Sequence, residues 1–181
     1  MLSLEQIEKN YDILRTHIPQ MRIHYAMKAN PDLRILETMI DKTLILTLQV
    51  TGKSVPWQAL VFRGKDDLCQ SHQDGSWLKA CVDAGVTRMT FDSESEICKI
   101  AKWVPHATVL LRLRIDNPKA HVDLNKKFGA PREKALSLMR LARQAGLDMA
   151  GIAFHVAVRL QRPILISTPL MLSMNSWKKQ K

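Results

Sequence analysis

The stretch Ile23-His24-Tyr25-Ala26-Met27-Lys28-Ala29-Asn30-Pro31 decides the reading of this chain. A short β-prone run ends in a single amine and then turns at Asn-Pro. A strand that delivers a lysine to its C-terminal end, just before a helix start, is one way a barrel enzyme presents a Schiff-base amine. Lysine suits that task because desolvation lowers its pKa and the neutral amine attacks carbonyls. Taken alone, Lys28 reads first as a lysine that merely closes a strand and faces water. The surrounding sequence separates the two readings.

Upstream, Leu4, Ile7, Tyr11 and Leu14 recur at helical spacing behind Ser3 and Gln6, which fit a capping box. Ile23 to Lys28 reads as a strand. Asn30-Pro31-Asp32 predicts a helix start with Pro31 at the first helical position. Ile35, Leu36, Met39 and Ile40 then line one face. Leu78 to Ala84 suggests another helix with Gly85 as its stop. Thr87 to Phe91 is a short strand, and Ser93-Glu94-Ser95-Glu96 opens a helix through Ile97, Ile100, Ala101 and Trp103. Ala107 to Ile115 is an apolar, β-rich run broken by Arg112 and Arg114. Pro131 starts a helix through Leu136, Met139 and Leu141 that ends near Gly146, and Met149 to Val156 is a strand carrying His155. Strand and helix alternate, which implies a parallel sheet with crossover helices and an α/β fold. In a closed barrel of this kind the chemistry lies at the C-terminal ends of the strands. Lys28, Arg112 and His155 all fall at or near such ends.

Composition bounds the partners. The 181 residues suffice for one domain with a real core, and an apolar fraction of 46% is globular. No apolar run is long enough to span a bilayer and no basic-then-apolar leader opens the chain, so a cytoplasmic protein without a membrane is expected. Cys69, Cys81 and Cys98 have no metal-type spacing, which implies reduced thiols and no metal site. The net charge of +10 raises nucleic acid as a partner. Its location argues otherwise: Ala157–Lys181 alone holds five Lys/Arg and no acid, and aromatics at 6% do not interleave with basic residues as a stacking platform requires.

Four landmarks in order carry a family resemblance. Tyr25-Ala26-Met27-Lys28-Ala29-Asn30-Pro31 resembles the pyridoxal-phosphate lysine motif of the ornithine/diaminopimelate/arginine decarboxylases, the group with an alanine-racemase-like barrel. Met89-Thr90-Phe91-Asp92-Ser93-Glu94-Ser95-Glu96 resembles the next landmark. Leu111-Arg112-Leu113-Arg114-Ile115-Asp116-Asn117-Pro118-Lys119-Ala120, followed by Lys127-Phe128-Gly129-Ala130, is similar to the ornithine decarboxylase branch. Phe154-His155-Val156 matches the strand whose histidine lies against the cofactor ring. The resemblance implies a partial TIM-type barrel over residues 1–156 and pyridoxal 5'-phosphate as cofactor. Lys28 would then be the Schiff-base amine, His155 the ring-stacking residue, and Arg112 a cation near the ring nitrogen or nearby carboxylates. Without the resemblance, Arg112 also reads as half of a structural ion pair and His155 as a satisfied core histidine.

Two windows break the pattern. Residues 42–77 lack the family's Phe-Asp-Val-Ala-Ser-x-Gly-Glu, and His155-Val156-Ala157-Val158 stands where the family has His-Val-Gly-Ser, whose glycine and serine serve the phosphate. Read one nucleotide out of phase, permitted codons for Leu44 to Lys53 yield Asp-Phe-Asp-Val-Ala-Ser-x-Gly-Glu, and Val156-Ala157-Val158 permits Gly-Ser. The expectation is a frameshifted coding sequence, with shifts near Lys42, Lys65, Trp77 and Val156, a premature stop, and a poorly ordered basic tail over 157–181. The alternative is a genuine divergent insertion. The family resemblance implies decarboxylation of a basic amino acid, L-ornithine to putrescine first, with lysine or diaminopimelate behind. It also implies a homodimer, whose partner subunit completes the site in the intact family. This chain is expected to be a truncated, inactive or weakly active homologue, with a non-catalytic, antizyme-inhibitor-like partner of a decarboxylase as the alternative.

Overall fold

Six short strands run parallel and lie side by side in chain order, β1-β2-β3-β4-β5-β6. The computed structural model describes residues 3–42, 45–48, 68–69, 75–83, 85–114 and 128–154. The strands are β1 (His24–Ala26), β2 (Ile45–Leu48), β3 (Leu68–Cys69), β4 (Arg88–Phe91), β5 (Thr108–Leu113) and β6 (Asp148–Phe154). The helices are α1 (Leu4–His17), α2 (Leu33–Asp41), α3 (Gly75–Asp83), α4 (Glu94–Trp103) and α5 (Ala135–Gln144), with 3-10 turns at Met27–Ala29 and Arg132–Lys134.

Local chemistry sets most of these boundaries. Ser3 caps α1 by accepting from the Gln6 amide at 3.2 Å, and Ser93 caps α4 by accepting from that of Glu96 at 3.4 Å. Each satisfies a helical N–H that has no partner within its own helix. Gly85, after α3, takes φ +83°, a conformation that costs glycine little. The expected start of α2 needs correction. Asp32, not Asn30, is the cap, its carboxylate accepting from the Arg34 amide at 3.0 Å, so Pro31 precedes the helix and does not open it. Pro31 still contributes, because it disfavours helical backbone at Asn30. The expected strand from Ile23 to Lys28 is shorter too: hydrogen bonding to β2 ends at Ala26, and Lys28 lies in the 3-10 turn beyond.

Alternation along the strands divides the two faces of the sheet. In β5, Val109, Leu111 and Leu113 are buried while Thr108, Leu110 and Arg112 are half-buried. The buried set joins Met89 and Phe91 of β4 with Leu36 of α2, Leu78 and Cys81 of α3, Ile97 and Ile100 of α4, and Leu138, Met139 and Ala142 of α5 in one cluster. Each such fully buried Leu, Ile or Phe contributes about 2 kcal/mol. Helices α2 to α5 therefore cover one face, and that follows from the strand order. Right-handed crossovers between parallel strands that always advance in the same direction place every helix on the same side. The other face, with Thr90 and Arg112, is the concave one.

Two strands come from the window 42–77: Ile45–Leu48 pairs with β1 and β3, and Leu68–Cys69 with β2 and β4. The rest of that window up to α3, like 157–181, lies outside the described residues. Helix α1 docks on the C-terminal end of α2. The Tyr11 hydroxyl donates to the Lys42 carbonyl at 2.7 Å, and the Lys42 ammonium lies 3.3 Å from Glu8 and 3.7 Å from Asp12. An apolar groove of about 280 Å³ between α1 and β1 is lined by Ile7, Tyr11, Leu14, Ile23 and Met39.

Candidate active site

All six strands are parallel, so their C-terminal ends share one edge of the sheet. At that edge of β1, the turn Met27–Ala29 carries the Lys28 backbone just past Ala26. Three contacts fix the turn. Met27 is buried in the core, the Tyr25 hydroxyl donates to the Asn30 carbonyl at 3.0 Å, and the Asn30 side chain accepts from the Asp32 amide at 3.1 Å. Partial burial pushes the Tyr25 phenol pKa up, and its hydrogen bond to Asn30 opposes that shift.

Arg112 lies one residue before the end of β5, on the concave face. Its guanidinium carbon is 5.0 Å from the centroid of the Phe128 ring. Burial lowers its pKa from the ordinary arginine value, and the charge of Asp92 works against that shift. Arginine remains cationic under such shifts. Asp92 directly follows β4. Because Phe91 pairs with Leu111, continuing the register puts Asp92 level with Arg112. Its Oδ2 accepts from the Gly129 amide at 2.8 Å. Beyond β4, the segment 128–130 returns alongside the end of β5. The Ala130 amide donates to the Arg112 carbonyl at 2.8 Å, and the Arg114 amide donates to the Ala130 carbonyl at 2.9 Å. A register shift between Val109 and Leu110 brings Ala153 of β6 level with Arg112, and a small side chain there leaves room beside the guanidinium.

Two of the three expected site residues thus have a described place at this edge: the Lys28 backbone at the end of β1 and Arg112 near the end of β5. His155 directly follows β6 and lies outside the described residues. Asp92 and Phe128 were legible only as parts of motifs, without roles. The signal the sequence offered was the Phe128-Gly129 pair, whose glycine takes φ +96° in the fold.

Sequential parallel order with crossover helices on one face defines part of an α/β barrel, a class that meets its ligands at this edge. The family follows from comparison: residues 4–165 match the pyridoxal-binding domain of the pyridoxal-dependent decarboxylases, and the chain belongs to that family. The barrel is the alanine-racemase-like one expected, and the pyridoxal group that the family's description names agrees with the expected cofactor. The lysine/ornithine decarboxylase of Selenomonas ruminantium is 43% identical over 155 residues, covering 85% of this chain and 39% of that protein. The ornithine decarboxylase of Caenorhabditis elegans is 31% identical over 166 residues, 86% of this chain and 37% of that protein. The solved lysine decarboxylase of S. ruminantium matches with a TM-score of 0.78 at 42% identity, covering 86% of this chain and 41% of that one. The arginine decarboxylase of Paramecium bursaria Chlorella virus matches with a TM-score of 0.80 at 29% identity, covering 88% and 44%. The chain therefore spans about two fifths of the length of the relatives it matches. Among the described residues no helix is long and apolar enough to cross a membrane.

The residues present fit the ring end of pyridoxal phosphate. The main chain places an amine-bearing residue at the end of β1, and a cation on the concave face of β5 has an aromatic ring to hold it. The family's phosphate-end residues correspond to Ala157 and Val158, outside the described residues.

Proposed function

We propose that this chain supplies the cofactor-holding part of a pyridoxal phosphate-dependent decarboxylase for a basic amino acid, with L-ornithine as substrate and putrescine as product. The placement of Lys28 supports this most: it stands in a pinned turn at the C-terminal edge of β1, in the family's lysine motif. When bound, pyridoxal phosphate takes up the electron pair left as carbon dioxide departs. Lys28 offers the amine to which the cofactor aldehyde attaches. His155 would stack on the ring. Arg112 provides a fixed cation near the ring or the substrate carboxylate. Ornithine leads lysine because the first two relatives above share ornithine in their names. The remaining parts of the site come from a homodimeric arrangement, as in the intact family.

The experiment is absorbance after pyridoxal phosphate is added to the 181-residue chain. A visible band that disappears in Lys28→Ala is expected, with weak putrescine release from ornithine or none. If the wild-type chain gives no band, the enzyme reading fails. One observation favours a second reading, a non-catalytic partner of a decarboxylase: antizyme inhibitor 2 of Xenopus laevis is 28% identical over 160 residues. That reading expects no band and stable co-purification with a full-length decarboxylase.

A further inference from the structure

Two contacts at the strand ends converge on Arg112. The Asp92 carboxylate accepts from the Gly129 amide at 2.8 Å, and the Phe128 ring lies 5.0 Å from the Arg112 guanidinium carbon. Together they tie the end of β4, the end of β5 and the returning segment 128–130 at one spot. The geometry points to Asp92 and Phe128 as positioning residues that hold the Arg112 guanidinium ready for the cofactor, Asp92 by anchoring Gly129 and Phe128 by stacking on the cation. The cofactor as the ligand rests on the function proposed above. The holding of Arg112 rests on the distances alone.

An arginine in solution samples many rotamers, and ordering it for a ligand costs entropy at each binding event. A ring face beneath the cation attracts it and orders it beforehand, leaving guanidinium N–H groups to donate to a ligand. Phe128 reaches that position only because the chain turns back sharply after it. Gly129 sits at φ +96°, where a Cβ would lie 2.7 Å from the Arg114 backbone nitrogen and 2.9 Å from the Leu113 carbonyl carbon. The Asp92 carboxylate secures that turn from the neighbouring strand. Level with Arg112 in the register, it also supplies negative charge that favours a cation there. With one oxygen committed to Gly129, Asp92 serves here as an anchor for the turn.

Pyridoxal 5'-phosphate is titrated into the full chain, with binding read by fluorescence, for wild type, Asp92→Asn, Phe128→Leu, Phe128→Tyr and each of these combined with Arg112→Ala. Thermal unfolding confirms that each variant folds. If Phe128→Leu does not fold, Asp92→Asn carries the comparison. Asp92→Asn and Phe128→Leu are expected to weaken binding about 3- to 10-fold, Phe128→Tyr less than about twofold, and all three less than about twofold once Arg112 is alanine. A loop staple that only supports the fold would cost the same factor with or without Arg112, and that result overturns the proposal. Proton NMR of the Arg112 side chain needs no cofactor. The upfield displacement caused by the Phe128 ring should persist in Phe128→Tyr, vanish in Phe128→Leu and shrink in Asp92→Asn; identical shifts throughout overturn the proposal. If wild type takes up no cofactor, the functional reading falls, while the NMR comparison still decides whether Asp92 and Phe128 hold Arg112.

Discussion

Replacing Gly129 by alanine should be among the most damaging single-methyl changes in the molecule, and Gly85 provides the control. Both glycines have positive φ, +83° at Gly85 and +96° at Gly129. At Gly85 a new Cβ meets nothing within 4 Å. Gly85→Ala therefore costs only the left-handed backbone, about 1 kcal/mol. At Gly129 the new Cβ falls 2.7 Å from the Arg114 nitrogen and 2.9 Å from the Leu113 carbonyl carbon, both backbone atoms in or beside β5. Neither can swing away as a side chain would. The turn must lift, which breaks the charge-assisted bond to Asp92, worth about 1.5–3 kcal/mol. With the backbone strain added, Gly129→Ala should cost about 2.5–4 kcal/mol, roughly two and a half to four times the control. Urea unfolding of both variants measures the totals. Amide exchange at Ala130 and Arg114, whose N–H groups close the bridge to β5, shows whether the loss is local. A Gly129→Ala chain as stable as Gly85→Ala, with unchanged exchange at those two amides, would refute the reasoning.

Three further outcomes follow from single residues. Leu111, fully buried in β5, should lose about 2–5 kcal/mol on replacement by alanine, read as a lower urea midpoint at unchanged slope. His106 holds φ +64°, so His106→Val should destabilise by about 1 kcal/mol or more while His106→Gly should be neutral or slightly stabilising, both checked by thermal unfolding. The hydrogen bond from the Arg34 side chain, first among several causes, depresses the Asp32 carboxyl pKa below its ordinary 3.8. A depressed folded-state pKa contributes stability above the unfolded value that is lost as pH falls through the folded one. Wild type should therefore lose helix-cap stabilisation below about pH 4, while Asp32→Asn should lack that component of the pH dependence; identical acid limbs in urea unfolding would contradict it.

The local signals in the sequence were read more easily than the long-range ones. Ser3 and Ser93 announced their helices because a cap and its amide lie three residues apart. The apolar, β-rich run from Ala107 to Ile115 marked β5, but Leu110 is as apolar as its neighbours, so the packing face of Val109, Leu111 and Leu113 emerges only in the fold. The start of α2 lies two residues beyond the one expected: Asn30, Pro31 and Asp32 are all good helix-start residues, and only the carboxylate's bond to the Arg34 amide separates them. Strand β3 is only two residues long and β2 lies in a window without a clear period, so pairing with their neighbours is what defines them. The Asp92–Gly129 and Phe128–Arg112 contacts join residues far apart in the chain, which no periodicity encodes. The frameshift reading of 42–77 has its own decisive measurement, the coding DNA. Codons for Leu44 to Lys53 that cannot read Phe-Asp-Val-Ala-Ser in a shifted phase would exclude it.

The chain-order arrangement of β1 to β6 has a kinetic consequence. Each strand's next hydrogen-bonding neighbour is the next strand to be synthesised, so no pairing in this sheet waits for a distant part of the chain. Each pairing closes a crossover of its own, from 20 residues at Arg88–Thr108 to 41 at Arg112–Ala153, so parallel pairing stays slower than a hairpin but proceeds in separate steps. A ribosome feeding out this polypeptide would let the sheet grow by one strand and one helix at a time, with each new helix covering the core face before the next strand emerges.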